Sequence, residues 1–330
     1  MTEMGKSRMD LTFEEICSLT HGADHITVEE DGLHFHKCTV KQEQAWREAD
    51  DYYVEKALST TGVRLEMETD AESIAFVAPR GNKFEIWVNR MFYRQIFADD
   101  LHEQGEIPTV KLEPGIKKIM FALPSHQMGV LSSFSLEGAT FCKPVTYEKK
   151  ILFIGDSITQ GWNSRFDTLS FAYRTAIALG MDFHICGIGG GRYIPETFDQ
   201  VAFYPDIIVI AYGINDFKSK KRIESEIVPN IRWYLDRVKE AYGDRRVVVL
   251  TPIRFADRDA TWNFMVRSSV ADAAKEKGFE VVDGETLFPK NSAFYADGSF
   301  HPNDLGFSIY AERLIEYFRK EKRVDPRSVF

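Results

Sequence analysis

The sequence is short of cysteine, of long apolar runs and of positive charge, and each shortage removes a class of protein. Cys17, Cys38, Cys142 and Cys186 are scattered, with no Cys-x-x-Cys pair. Neither a disulfide framework nor a thiolate metal or redox motif follows from that spacing, so four free thiols are expected. Cys186 has no base beside it in sequence and reads as a buried strand-end thiol rather than a nucleophile. Apolar runs such as Ile207 to Tyr212 fall far below the ~20 residues that a bilayer-spanning helix needs. The opening segment, Met1 to Asp10, is charged and holds no apolar leader, so no membrane association is expected and the cytoplasm is the expected location. Lys and Arg total 41 against 50 Asp and Glu, a net charge of -9. That balance leaves no basic face for nucleic-acid phosphates and favours a small, uncharged substrate. The one basic run, Lys218 to Arg222, reads as a solvated surface turn without assigned function.

What is present describes a globular chain. Its 330 residues exceed what one hydrophobic core usually organises, so two domains are expected. From Ile26 to about Thr146, short segments alternate apolar with polar residues, as in Val63-Arg64-Leu65-Glu66-Met67-Glu68-Thr69, the pattern of a strand with one wet face. Ile26 to His36, Ile74 to Ala78, Phe84 to Val88, Phe92 to Phe97, Ile119 to Ala122 and Val130 to Glu137 follow suit. Turns are expected at Arg80-Gly81-Asn82 and Glu113-Pro114-Gly115. These predict an all-β sandwich or jelly roll over residues 1–147, with a helix near Thr12 to Leu19.

After Tyr147 the pattern changes. Buried apolar strands at Ile151 to Ile154, Asp182 to Cys186, Ile207 to Tyr212, Val247 to Thr251 and Glu280 to Val282 alternate with helical stretches near Thr168 to Leu179, Ile223 to Ala241, Thr261 to Lys277 and Asp304 to Glu321. This predicts an α/β domain over 148–330, a parallel sheet between helical layers.

Three of these strands run into segments with chemistry. Ile151 to Ile154 leads to Gly155-Asp156-Ser157, where a hydroxyl would stand at the carboxyl edge of a parallel sheet, the rim at which such folds bind ligands. A serine hydroxyl needs a base to take its proton, and His301, in the loop before the last helix, has an imidazole of suitable pKa, ~6.5. Asp297 could orient that ring, or serve only as the Asp of an Asp-Gly turn. Gly187-Ile188-Gly189-Gly190-Gly191 offers backbone N–H groups, and Tyr212-Gly213-Ile214-Asn215-Asp216 a side-chain amide, for an oxyanion. The glycine cluster fails the dinucleotide spacing, so no cofactor is expected.

In their order and their positions at strand ends, four segments resemble the blocks of the SGNH, or GDSL-like, hydrolases: Gly155-Asp156-Ser157, Gly187-Ile188-Gly189-Gly190, Gly213-Ile214-Asn215-Asp216 and His301-Pro302-Asn303. The resemblance spans about residues 148 to 322 and implies a flavodoxin-like three-layer α/β/α domain. It further implies Ser157 as nucleophile, His301 as base, and an oxyanion hole from the N–H groups of Ser157 and Gly190 and the Asn215 amide, with Gly189 as the alternative to Gly190. The family usually carries its acid three residues before the histidine. Here Gly298 holds that place and Asp297 lies four before, so either Asp297 reaches the ring over a bulged loop or a backbone carbonyl orients a Ser-His dyad. The β-rich first half is similar to the module that precedes the hydrolase in two-domain carbohydrate esterases, family two deacetylases among them.

Other clusters carry less. His34, His36 and Cys38 would share one strand face, and His21 and His25 share a helix-like spacing, but packed side chains are expected rather than metal ligands. Trp162, Asn163 and Arg192 follow the first two blocks and are candidate substrate contacts. The expected function is therefore metal-independent hydrolysis of a short, acetyl-type ester on a carbohydrate or glycoside, through an acyl-enzyme on Ser157. An esterase, lipase or thioesterase acting on a lipid or acylated small molecule stays open, as does a non-catalytic carbohydrate-binding protein. Oligomeric state is not legible.

Overall fold

A computed structural model of the chain describes residues 7–97, 107, 109–218 and 223–320. The basic run at 218–222 lies, apart from the Lys218 backbone, outside the described residues. The described chain forms two compact units, one reaching to Glu148 and including Val201–Phe203, the other comprising Lys149–Gln200 and the chain from Tyr204 onward.

The first unit is built from antiparallel sheets. Its strands are β1 (Arg8–Asp10), β2 (Thr20–His21), β3 (His25–Glu29), β4 (Gly32–His36), β5 (Arg64–Thr69), β6 (Ser73–Val77), β7 (Lys83–Val88), β8 (Met91–Phe97), β9 (Thr109–Lys111), β10 (Lys117–Ala122), β11 (Val130–Leu131), β12 (Ser133–Glu137) and β13 (Cys142–Pro144). They pair in the orders β1-β12-β6-β9, β13-β5-β10-β7-β8 with β2 beside β5, and β11-β4-β3. Register follows side-chain burial: Phe121 of β10 stands opposite Leu65 and Ile86 of its neighbours, and all three are fully buried. Phe121 meets Phe76 and Phe134 in T-shaped contacts, with centroids 4.8 and 5.1 Å away, so four strands share one aromatic core with Phe84.

Among the described residues, three α-helices interrupt this β-rich unit: α1 (Phe13–Leu19), α2 (Val40–Ala49) and α3 (Val54–Leu58). Only α1 matches an expected helix. The α2 segment has few apolar residues, yet Thr39 and Gln42 close a capping box on it and Trp46 anchors it in the core. The expected strand from Ile26 to His36 is a hairpin, β3 and β4, turned at Glu30 and Asp31. The expected strand from Val130 to Glu137 is likewise split at Ser132, β11 pairing with β4 and β12 with β6.

The second unit is the α/β domain. Its strands β14 (Lys150–Gly155), β15 (Asp182–Gly187), β16 (Ile207–Ala211), β17 (Arg246–Leu250) and β18 (Glu280–Val282) are all parallel and lie in the order β15-β14-β16-β17-β18. This is the 2-1-3-4-5 order of flavodoxin-like folds, whose crevice opens between the first and third strands. Runs such as Val247-Val248-Val249-Leu250 are buried throughout, as strands covered on both faces must be. The helices are α4 (Ser157–Gln160), α5 (Phe171–Leu179), α6 (Val228–Tyr242), α7 (Ala260–Glu276), α8 (Gly284–Leu287) and α9 (Asp304–Lys320). Helix α5 packs on α9, where Phe171 and Tyr310 stack at 4.4 Å, and α6 packs on α7. The start of the expected helix at Ile223 is a π-helical turn, Ile223–Ile227, ahead of α6.

Candidate active site

Strand β14 ends at Gly155, and the chain turns at once into α4. Asp156 caps this helix by accepting the Ile158 N–H at 2.9 Å, and Gly161 ends it in a left-handed conformation, φ 91°. The turn is tight enough to demand glycine: a Cβ on Gly155 would stand 2.1 Å from Thr159 Oγ1 and 2.9 Å from the Ala211 carbonyl oxygen. Ser157 is thereby fixed on the first turn of α4, where the backbone N–H has no acceptor within the helix.

His301 comes from the loop before α9. Ala296 N–H donates to the His301 carbonyl at 2.8 Å, and Asn303 holds the loop from both ends, donating to the Ala293 carbonyl and accepting the Gly306 N–H. Asp304 reaches across to accept the Arg165 N–H at 2.8 Å. This framework places His301 Nε2 2.9 Å from Ser157 Oγ. The side chain of His301 is 16% exposed and that of Asp297 30%, open enough for a reacting group to enter.

The unusual spacing of the acid is accommodated by backbone geometry. Gly298 takes φ 70°, and the loop bulges so that Asp297 Oδ2 lies 2.7 Å from His301 Nδ1. Oδ1 of the same carboxyl accepts the N–H groups of Ser299, Phe300 and His301 at 2.9, 3.0 and 3.1 Å. Desolvation alone would raise the Asp297 pKa, but these backbone bonds and the imidazole outweigh it and hold the carboxyl below the ordinary carboxylate value. An ionised Asp297 keeps the proton of the ring on Nδ1, leaving Nε2 to accept from the serine hydroxyl.

The donors gather on two neighbouring loops. Asn215 is buried and its Nδ2 donates to the Gly191 carbonyl at 3.0 Å; an amide has two N–H groups, so this bond orients the side chain and leaves a second donor. Gly190 has φ 78°, a conformation that lets the glycine loop fold back so that Gly191 N–H reaches the Ile188 carbonyl at 2.8 Å. Trp162, Asn163 and Arg192 are exposed, the first two directly after the C-cap of α4. The Trp162 N–H donates to the Ser157 carbonyl at 2.8 Å, which ties the start of this exposed segment to the helix that carries the serine.

One carboxyl here went unread in the sequence. Asp216 accepts the Tyr193 N–H at 3.0 Å through Oδ1, while its Oδ2 is buried with no hydrogen-bond partner among the described residues. Desolvation pushes its pKa up to about 7, against the opposing pull of the Tyr193 N–H and Arg192. An Asp after an Asn in a strand-end loop looks like a turn residue, and no sequence signal marks the burial of its Oδ2.

The four cysteines are free, and burial pushes the Cys38 thiol up to about 12, so it is inert as a nucleophile. His34, His36 and Cys38 do not converge. Instead His25 and His36, paired across the hairpin, bring nitrogens within 4.8 Å of a Glu43 oxygen, and Glu29, Asp31 and His34 form a second such group. The rings of His25 and His36 are stacked at 4.3 Å and 5°, so their in-plane lone pairs run parallel instead of meeting at a point. Asp24, Thr27 and Glu43 already bond these nitrogens. In the second group Arg80 occupies the far oxygen of Asp31 at 2.8 Å, a partner that a cation would have to displace.

At the carboxyl edge of the 2-1-3-4-5 parallel sheet, Ser157, His301 and Asp297 form one hydrogen-bonded line beside the loops of Gly190 and Asn215. Residues 153–309 match the model of the GDSL-like Lipase/Acylhydrolase family. Comparison with curated proteins finds no match. Among solved structures, the chain is similar to a salicylyl-acyltransferase from a tetracycline biosynthetic pathway, with a TM-score of 0.77 at 18% identity, covering 96% of this chain and 98% of that one. It is also similar to a family two carbohydrate esterase from Clostridium thermocellum in complex with cellohexaose, TM-score 0.67 at 17% identity over 91% and 98%. A family two carbohydrate esterase from Cellvibrio japonicus aligns with a TM-score of 0.65 at 15% identity over 96% and 98%. These likenesses share the fold of the whole chain, an antiparallel β unit followed by the parallel α/β domain.

Proposed function

We propose that the protein is a serine esterase in which Ser157, His301 and Asp297 form the catalytic relay. The supporting observation is the unbroken hydrogen-bonded line from Ser157 Oγ to His301 Nε2 and from His301 Nδ1 to Asp297 Oδ2. Ser157 Oγ attacks the ester carbonyl as its proton passes to His301 Nε2. The resulting oxyanion is met by the N–H groups of Ser157 and Gly190 and by the Asn215 amide. Collapse breaks the ester C–O bond, and His301 returns the proton to the departing alcohol. Water then attacks the acyl-serine, giving its proton to His301, and the acid leaves as Ser157 recovers the proton.

Short acyl groups, acetyl first, carried on a carbohydrate or glycoside are the proposed substrates. The two-unit architecture shared with the carbohydrate esterases supports this reading. Trp162, exposed beside the relay-bearing helix α4, is the proposed platform for a sugar ring, with Asn163 and Arg192 as further contacts. We assign the hydrolase to residues 148–330 and an ancillary role to residues 1–147. No helix among the described residues is long and apolar enough to cross a membrane, and four free thiols fit a reducing compartment, so the cytoplasm is the proposed location.

The fold shared with an acyltransferase favours a second reading, delivery of the acyl group to an alcohol other than water. A panel of acetylated xylo-oligosaccharides, acetylated simple sugars, long-chain esters and acyl thioesters, each with and without added acceptor alcohols, separates the possibilities. Preference for acetylated sugars with free acetate as product supports the esterase. Preference for long-chain esters or thioesters overturns the carbohydrate assignment, and ester formation exceeding acetate release overturns hydrolysis as the main reaction.

A further inference from the structure

Asn215 and the glycine loop belong to different strand connections, and two hydrogen bonds of opposite direction join them. Asn215 Nδ2 donates to the Gly191 carbonyl at 3.0 Å, and Tyr193 N–H donates to Asp216 Oδ1 at 3.0 Å. The first bond alone leaves the loops free to hinge about a single contact. The second, one residue further along one loop and two along the other, removes that freedom. The Tyr193 ring is fully packed, 5.5 Å from the rings of both Tyr212 and Tyr234, so the N–H that Asp216 accepts is itself anchored. A carboxyl placed here carries a cost that a packing residue would not: its Oδ2 is buried without a hydrogen-bond partner among the described residues.

We propose that Asp216 is a positioning residue for the oxyanion site, a clasp that holds the 187–193 loop against the 213–216 loop so that the Gly190 N–H and the Asn215 amide face the same oxygen. It acts through Asn215 and touches no reacting atom. A donor a few tenths of an ångström out of place meets the ground-state carbonyl almost as well but loses the oxyanion, so the clasp supports kcat and leaves KM nearly untouched. The charged and titratable groups around it are Arg192 and Tyr193, with Tyr234 and Asp156 acting on the Tyr193 phenol.

The inference rests on the hydrolase reading, and a double-mutant cycle separates the two. Hydrolysis of p-nitrophenyl acetate is measured for wild type, Asp216→Ala, Asp216→Leu, Asp216→Asn, Asn215→Ala and the Asn215→Ala/Asp216→Ala double variant, with folding followed by circular dichroism. Asp216→Ala is expected to lower kcat roughly 10- to 100-fold with KM within about threefold, and Asn215→Ala to cost about 10²–10³. In the Asn215→Ala background the further loss should shrink to less than about threefold, because Asp216 then has nothing left to aim. Asp216→Asn keeps an oxygen for the Tyr193 N–H and should stay within about fivefold of wild type. If the alanine variant does not fold, Asp216→Leu, near in volume but lacking the acceptor, supplies the same reading. An Asp216→Ala or Asp216→Leu loss carried by KM, a kcat within threefold of wild type, or equal losses in both backgrounds overturns the clasp. An inactive wild type overturns the hydrolase reading instead.

Discussion

Replacing Asp297 with asparagine tests how the relay is oriented, and the structure fixes the expected outcome. Oδ1 accepts three backbone N–H groups and Oδ2 faces His301 Nδ1. An asparagine has one acceptor and one donor end, and only the oxygen can accept from the three N–H donors, so the amide NH₂ is forced toward the ring. Nδ1 must then accept rather than donate, the ring proton moves to Nε2, and Nε2 can no longer take the Ser157 proton. The loop keeps its shape, so the loss is one of tautomer, which in a hydrolytic triad is worth ~10⁴ in kcat. A kcat for p-nitrophenyl acetate lowered by about 10³–10⁴, at unchanged thermal midpoint, is expected. Loss of less than about tenfold would exclude Asp297 as the orienting group, leaving a Ser-His dyad with its ring oriented by other means.

Asp216 makes stability depend on pH with a definite sign. Its folded carboxyl holds its proton up to about 7 whereas the unfolded one releases it near the ordinary 3.8, so the folded state binds more protons in between and stability falls as pH rises from about 4 to about 7, then levels off. The shift corresponds to about 4 kcal/mol at most, and urea unfolding of wild type should lose part of that between pH 5 and 8 in excess of any change in Asp216→Asn. Asp297 works in the opposite sense: its depressed carboxyl stabilises the fold above the unfolded value, and wild type should lose this as pH falls through the folded one, while Asp297→Asn shows a shallower acid limb in the same titration. Gly155→Ala forces a Cβ against Thr159 Oγ1 and the Ala211 carbonyl, and a displaced Ser157 should show as labelling by a serine-reactive fluorophosphonate slowed by at least about tenfold. Phe121→Ala empties the centre of the aromatic core of the first unit, and denaturant titration should report a loss of roughly 3–5 kcal/mol.

The α/β domain was legible because its strands are covered on both faces and so read as continuous apolar runs: Ile151 to Ile154 and Val247 to Leu250 need no partner to be recognised. The candidate site segments were legible because each directly follows a strand, where small and polar residues interrupt the apolar pattern. What escaped depended on contacts distant in sequence. The burial of Asp216 Oδ2 goes with the contact to the Tyr193 backbone, and the reach of Asp297 follows from the left-handed Gly298; neither is written in the local residues. Helix α2 was missed because one large residue, Trp46, anchors it in place of an apolar stripe, although its Thr39–Gln42 capping box was readable. The His25–His36 pair needed the hairpin turn at Glu30-Asp31, whose only local mark is the Asp31-Gly32 pair inside an otherwise continuous strand pattern. Val201–Phe203 groups with the first unit, an excursion that no boundary drawn from composition would place.

Mass spectrometry of the intact chain after reaction with a fluorophosphonate, followed by peptide mapping, bears most directly on the nucleophile. A single phosphonyl adduct is expected on the peptide carrying Ser157, absent from Ser157→Ala and formed far more slowly in His301→Gln. A folded wild type that takes no adduct, or takes it on another residue, contradicts Ser157 as the nucleophile.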